Sequence, residues 1–319
     1  MSSEQPSVDH NKWRYVLMNQ GLILHPSSKF KDVSWLPAGV RSVDSLTGLP
    51  ILNNETRQVL IGEFSQCIRN DGKWACINID ADQLKTANSK YGRGFGDEYI
   101  NWEVAITTKA IEDAALSNTA TIRVVRPTHA ADEAIVWLFN LSDDDMQKMQ
   151  KLQESIGITV PIPDLSFTFS LSTGLIKSDE VSIQKSLSDT KNWLTQDKER
   201  SAFDFFQTIE DKTDELAKLE KISKDLYRLP LSELMKQQNI SLLIKVMTDN
   251  LGGTRISEHL LELILKLQSI QTIRLLGNKV DRATYITMLQ ALGVDEADLN
   301  NVESPEALVK LFRKLFGGE

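Results

Sequence analysis

The segment Ile77–Ile100, INIDADQLKTANSKYGRGFGDEYI, constrains this chain more than any other. A hydrophobic run ends in Asp80, a short helical stretch carries Asn88, Gly92 and Gly94 make a turn, and Asp97 opens the next helical pattern. Further on, TIRVVRPTHAADEAIVWLF (121–139) reads as two strands joined by a turn that carries Asp132 and Glu133. Carboxylates delivered by adjacent strand ends can share a divalent cation, an arrangement that holds nucleoside triphosphates in many phosphoryl-transfer sites.

The surrounding pattern alternates helix and strand. A helix follows Asn54, a strand spans Lys73–Asp80, helices cover 83–90 and 97–117, and strands cover 120–126 and 133–140. Ser142 has the chemistry of an N-cap for DDDMQKMQKLQES, whose three aspartates favour the positive end of the helix dipole. A strand region at 165–176, a helix at 181–196 and a last short strand at 202–206 complete one mixed sheet with helices packed on it. Beyond 208 the pattern is helical only. Leu219, Ile222, Leu226 and Leu229 form a stripe on a connecting helix over 208–229. Short helices follow at 231–238, 241–249, 254–276, 282–292 and 305–316, separated by Gly252-Gly253, Gly277-Asn278, Gly293 and Ser304-Pro305. The expected organisation is a lead-in over 1–40, an α+β domain over 41–207, the connecting helix, and an all-helical domain over 230–319.

At 319 residues the chain is long enough for separate cores. Its net charge of −8 argues against a nucleic-acid groove, which needs a basic footprint, but leaves room for one nucleotide held through a metal. Cys67 and Cys76 lack CxxC spacing and read as reduced core thiols, and four scattered histidines make no metal motif. No apolar run approaches a membrane span and the N-terminus carries no leader pattern, so the expectation is a cytoplasmic protein without membrane insertion.

An ordered set of motifs resembles the diguanylate cyclase family, the GGDEF domains, over roughly residues 40–207. Asp44–Pro50, DSLTGLP, is similar to the family's D-x-L-T-G-L-P. Asp80–Asp97 keeps the spacing of its D-x-D-x-F-K-x-x-N-D-x-x-G-H-x-x-G-D segment, Ser172-Thr173-Gly174 is similar to its S-x-G strand, and Ala130–Ala134, AADEA, stands at the signature. The resemblance implies a palm-like nucleotide-cyclase fold. It implies metal ligation by Asp80 and Asp132, a turnover carboxylate at Glu133, guanine recognition by Asn88 and Asp97, and phosphate contacts from Lys85 and Arg200. GTP and Mg²⁺ would be the ligands, and a homodimer would follow from the family's two-GTP product.

The departures are as specific as the matches. Ala130 and Ala131 replace glycines whose missing side chains admit the nucleotide, and Ala134 replaces a phenylalanine anchor. Gln196 stands where the family has a lysine, a lost charged hydrogen bond worth about 1.5–3 kcal/mol. The R-x-x-D product-inhibition motif would fall at Thr121–Val124, where neither end matches. The expectation is therefore a catalytically degenerate GGDEF-like signalling or scaffold protein of the cyclic-di-GMP kind, holding a protein partner through the helical domain and keeping at most a vestigial GTP or metal site. The alternative is an active or altered-product diguanylate cyclase that tolerates AADEA.

Overall fold

The structure, a computed structural model, describes residues 12–19, 26–128, 132–194 and 199–229, together with 239 and 242. The chain divides into two compact units, Met1–Lys221 and Ile222–Glu319. Of the second, the described residues are the last turns of one helix, 222–229, and the two isolated positions. The helices expected at 231–238, 241–249, 254–276, 282–292 and 305–316 therefore lie outside the described residues, apart from 242.

The first unit is built on one mixed sheet of six strands with helices on both faces, the α+β arrangement expected from the sequence. Its strands are β1 (Ile51–Leu52), β2 (Lys73–Ala81), β3 (Thr121–Pro127), β4 (Glu133–Leu141), β5 (Thr159–Ile162) and β6 (Phe167–Lys177), in the order β1-β3-β4-β2-β6-β5. All neighbours are antiparallel except β1 and β3. The described helices are α1 (Lys12–Asn19), α2 (Asn54–Arg69), α3 (Leu84–Tyr91), α4 (Arg93–Asp113), α5 (Asp143–Ile156), α6 (Val181–Leu194) and α7 (Glu199–Arg228).

Strand β2 is buried from Trp74 to Ala81, as an unbroken apolar run predicts for a strand covered on both faces. Its alternate residues feed two cores. Ile77 and Ile79 pack with Val136, Leu138, Tyr99 and Phe169 on one side. Trp74 and Cys76 pack with Phe64, Trp137, Ile176 and α7 residues Phe205, Phe206 and Ile209 on the other. Both cysteines are free and buried, matching the reading of core thiols.

Local chemistry explains the element ends. Asn53 caps α2 through Thr56 N, and Ser142 with Asp145 forms a full capping box on α5, as its sequence predicts. The DSLTGLP motif is a self-contained turn. Asp44 Oδ1 accepts from Thr47 N at 2.8 Å and Thr47 Oγ1 at 2.7 Å, and Gly48 takes φ +75° to close it over buried Leu49.

Three expectations are corrected. Helix α4 begins at Arg93 rather than 97, because Gly92 at φ +86° turns the chain directly from α3 into it. Residues 202–206 are helix rather than strand: Ala202, Phe205, Phe206 and Ile209 are buried while Phe203 and Asp204 are exposed, a spacing only a helix satisfies. Most of the expected connecting segment, 208–221, belongs to the first unit, where α7 packs on the sheet.

Candidate functional site

The end of β2 meets the start of β4. Asp80 pairs directly with Glu133 across the antiparallel ladder, and Ala81 N donates to the carbonyl of Asp132 at 2.8 Å. Residues directly opposite in a ladder project to the same face. Asp80 and Glu133 share theirs with Cys76 and Trp137, the face that α7 covers. Like charges so placed repel, and both carboxyls are raised from their ordinary values. For Asp80 the causes are burial first, then the neighbouring Asp132 and Asp82, which together carry it to about 6 against the pull of Lys221. For Glu133 they are burial, then Asp214 and Asp80, opposed by Lys218.

Asp82, two residues on, is 1% exposed and serves the fold. Its carboxylate accepts from Ser170 Oγ at 2.5 Å and Ser172 Oγ at 2.7 Å, and its carbonyl accepts from Tyr99 at 2.5 Å. The first serine of the S-x-G strand is thus a clamp between β2 and β6.

The glycine of that strand positions α7. A side chain at Gly174 would run into the carbonyl of Thr213, and would lie 2.8 Å from Ala217 N, so helix backbone rests on strand backbone here. Cys76 Sγ sits 3.8 Å from Thr213 Oγ1. From there α7 advances about 1.5 Å per residue and β2 about 3.3 Å. Eight helical residues and four strand residues therefore cover nearly the same distance, and Lys221 arrives at Asp80. Its Nζ donates to Asp80 Oδ1. Burial works against the Lys221 ammonium, but Asp80 outweighs it and its pKa is raised. One helical face thus presents Asp214, Lys218 and Lys221, with Lys218 held to Asp214 at 2.6 Å.

Sequence reading missed these residues. The sheet-facing surface of α7 includes Thr213 and Ala217, too polar and too small to register as a hydrophobic stripe, whereas the leucine spacing drew attention to Leu219. The usable signal was the acid-base-base spacing of 214, 218 and 221.

The remaining expected site residues are spread out. Asn88, in the last turn of α3, lies against Gly96 of α4 so closely that a Cβ there would collide with its amide. Asp97 follows Gly96 in the chain, and Asp97 and Lys85 are exposed. Asp97 sits inside α4 rather than opening it. Arg200 lies in the first turn of α7, twenty-one residues and so about 30 Å of helix from Lys221. Ala130, Ala131 and Gln196 lie outside the described residues. Ala134 is fully buried opposite Ile79, filling a place in the core.

A buried pair stands behind the hairpin. Arg126 Nη1 donates to Glu103 Oε2 at 3.4 Å, with side chains 5% and 0% exposed. Burial pushes Glu103 up to about 7, against the pull of Arg126.

Among the described residues, no three of His, Cys, Asp and Glu gather as a cation site. Asp80 is engaged by an ammonium and both oxygens of Asp82 accept from serines. This donor set does not fit a divalent cation as it stands. Among the described residues no helix is long and apolar enough to cross a membrane.

No family model matches the chain, and no curated protein matches it. Solved GGDEF domains are similar to it. A sensory box/GGDEF family protein from Caulobacter crescentus shares 20% identity over 57% of this chain and 98% of its own, with a TM-score of 0.37. The FimX GGDEF domain from Pseudomonas aeruginosa shares 12% identity over 56% of this chain and 93% of its own, with a TM-score of 0.36. The diguanylate cyclase SiaD from the same organism, solved in complex with its activator SiaC, shares 15% over 62% of this chain and 65% of its own, with a TM-score of 0.32. At these values the similarity says nothing of activity.

Proposed function

We propose that this chain is a catalytically silent GGDEF-like signalling protein that acts by holding a protein partner rather than by cyclising GTP. The observation that carries the reading is the Lys221–Asp80 ion pair, which puts a helix of the chain's own on the carboxylate that the resemblance assigns to the metal. The partner-binding part is assigned to residues 230–319, and a GTP or Mg²⁺ site is vestigial in this reading. Localisation in the cytoplasm and a homodimer belong to the same proposal.

The test is incubation of the purified full chain with GTP, alone and with ATP, in Mg²⁺ or Mn²⁺, with products read by mass spectrometry beside Asp132→Ala and an active cyclase. No cyclic dinucleotide is expected. Product formed by the wild type and lost in Asp132→Ala would overturn the reading in favour of an active or altered-product cyclase.

A further inference from the structure

We infer that Lys221 is the resident cation of the strand-end acids: delivered by α7, its ammonium occupies Asp80 in place of a divalent ion and makes the helix a built-in plug. The inference deepens the proposed function and rests on its reading of Asp80 as the acidic end of a site.

Several observations converge on it. Asp80 and Glu133 face each other across the ladder on one face, with Asp132 adjacent, so the fold concentrates negative charge and needs a cation. The pair is not an incidental surface contact. Side-chain exposure is 28% for Lys221 and 10% for Asp80, against 66% and 64% for the ordinary helix-surface pair Lys109–Asp113.

The position of Lys221 is also imposed from a distance. Gly174 lets the α7 backbone touch β6, Cys76 meets Thr213, and the matched advance of helix and strand sets Lys221 over Asp80. A lysine held this way is a tethered ligand of high local concentration, which a free ion must displace. Lys218, in the field of Glu133 and Asp80, supplies a second positive charge on the same stretch of helix.

With Lys221 in place, the acids do not offer what a divalent ion demands. Mg²⁺ and Mn²⁺ prefer about six oxygen ligands in a defined geometry, whereas an ammonium needs only acceptors for its protons. With serines on both oxygens of Asp82 and Lys221 on Asp80, the monovalent, tethered cation is the better fit.

The test uses the full chain as wild type, Lys221→Arg, Lys221→Met and Lys221→Met/Asp80→Asn. Melting temperature and Mn²⁺ electron paramagnetic resonance are measured across millimolar Mn²⁺. Lys221→Met keeps the apolar stem and frees Asp80, so Mn²⁺ is expected to bind it at one site and raise its melting temperature by mass action. Wild type and Lys221→Arg are expected to show neither effect, and Asp80→Asn to abolish both in the double variant. Equal Mn²⁺ binding by wild type and Lys221→Met would overturn the inference, as would no binding by a folded Lys221→Met.

Should Lys221→Met fail to fold, acetylation footprinting of wild type decides. Lys221 is expected to react roughly tenfold more slowly than Lys109, the scale of one charge-assisted hydrogen bond, and to lose that protection in Asp80→Asn. Equal reactivity of the two lysines in wild type would overturn the inference. GTP turnover by wild type would sink the proposed function while leaving the Mn²⁺ comparison to stand on its own result.

Discussion

Trp137 of β4 and Phe206 of α7 lie face to face, with ring centroids 4.2 Å apart and planes inclined by 14°. Phe206 also meets Phe64 edge-on at 5.5 Å, so one side chain joins α7, the sheet and α2. Truncating it should loosen the helix that carries Lys221. Phe206→Ala is expected to lower unfolding free energy by about 3–5 kcal/mol in urea denaturation and to raise hydrogen exchange along α7. A loss under about 1 kcal/mol would mean that α7 is not anchored there.

The two glycines Gly174 and Gly62 make a matched pair for the seating of α7. A Cβ on Gly174 would enter the helix backbone, whereas one on exposed Gly62 of α2 meets nothing. Gly174→Ala is expected to destabilise by about 3 kcal/mol, the upper part of the overpacking range. Gly62→Ala should be neutral or stabilise by up to about 1 kcal/mol through helix propensity. Differential scanning calorimetry of both variants tests the contrast.

Arg126 and Glu103 form a pair with almost no exposure, and removal of Arg126 takes the paired cation from a buried carboxyl. Arg126→Met should cost about 3–5 kcal/mol at pH 8. The penalty is pH-dependent in a defined direction. Burial raises Glu103 above its ordinary 4.5 even with Arg126 present. Without the arginine the carboxyl is more reluctant still to ionise, so the penalty is small at pH 5, where the acid can stay neutral, and grows as pH rises. Urea titrations at pH 5 and 8 give the difference, and a penalty that shrank with rising pH would contradict this account.

Asp145 contributes in the opposite sense. Burial disfavours its charge, but Ser117 Oγ, Ser142 N, Ser117 N and Ser142 Oγ all donate to it and hold its pKa down to about 2. A carboxyl lowered from 3.8 to that value adds about 2 kcal/mol that is fully present above the unfolded pKa and lost as pH falls through the folded one. The stability gap between wild type and Asp145→Asn should therefore narrow between pH 5 and pH 2. A pH-independent gap would assign the effect to packing alone.

Much of this architecture was legible because its signals are local. The apolar run ending at Asp80, the capping chemistry of Asn53 and Ser142, and the strands around Glu133 each depend on neighbours a few residues away. The same locality misled at 202–206, where aromatic residues suited to a strand follow helical spacing once Phe205 and Phe206 find Phe64, Trp74 and Trp137. For the site, the sequence located Asp80, Asp132 and Glu133 at two strand ends that the ladder then joined. It also singled out Gly174, though not as the seat of a helix.

By itself, then, the order of residues determined the strands, their alternation, the capped helices and the acids at the strand ends, all products of short-range sterics and hydrogen bonding. Only the tertiary structure decided which cation those acids meet. Lys221 and Asp80 stand 141 positions apart, and no local rule links them. Their meeting depends on where α7 touches the sheet, which follows from backbone contact at Gly174 and ring packing at Phe206, and on the near equality of eight helical and four extended steps.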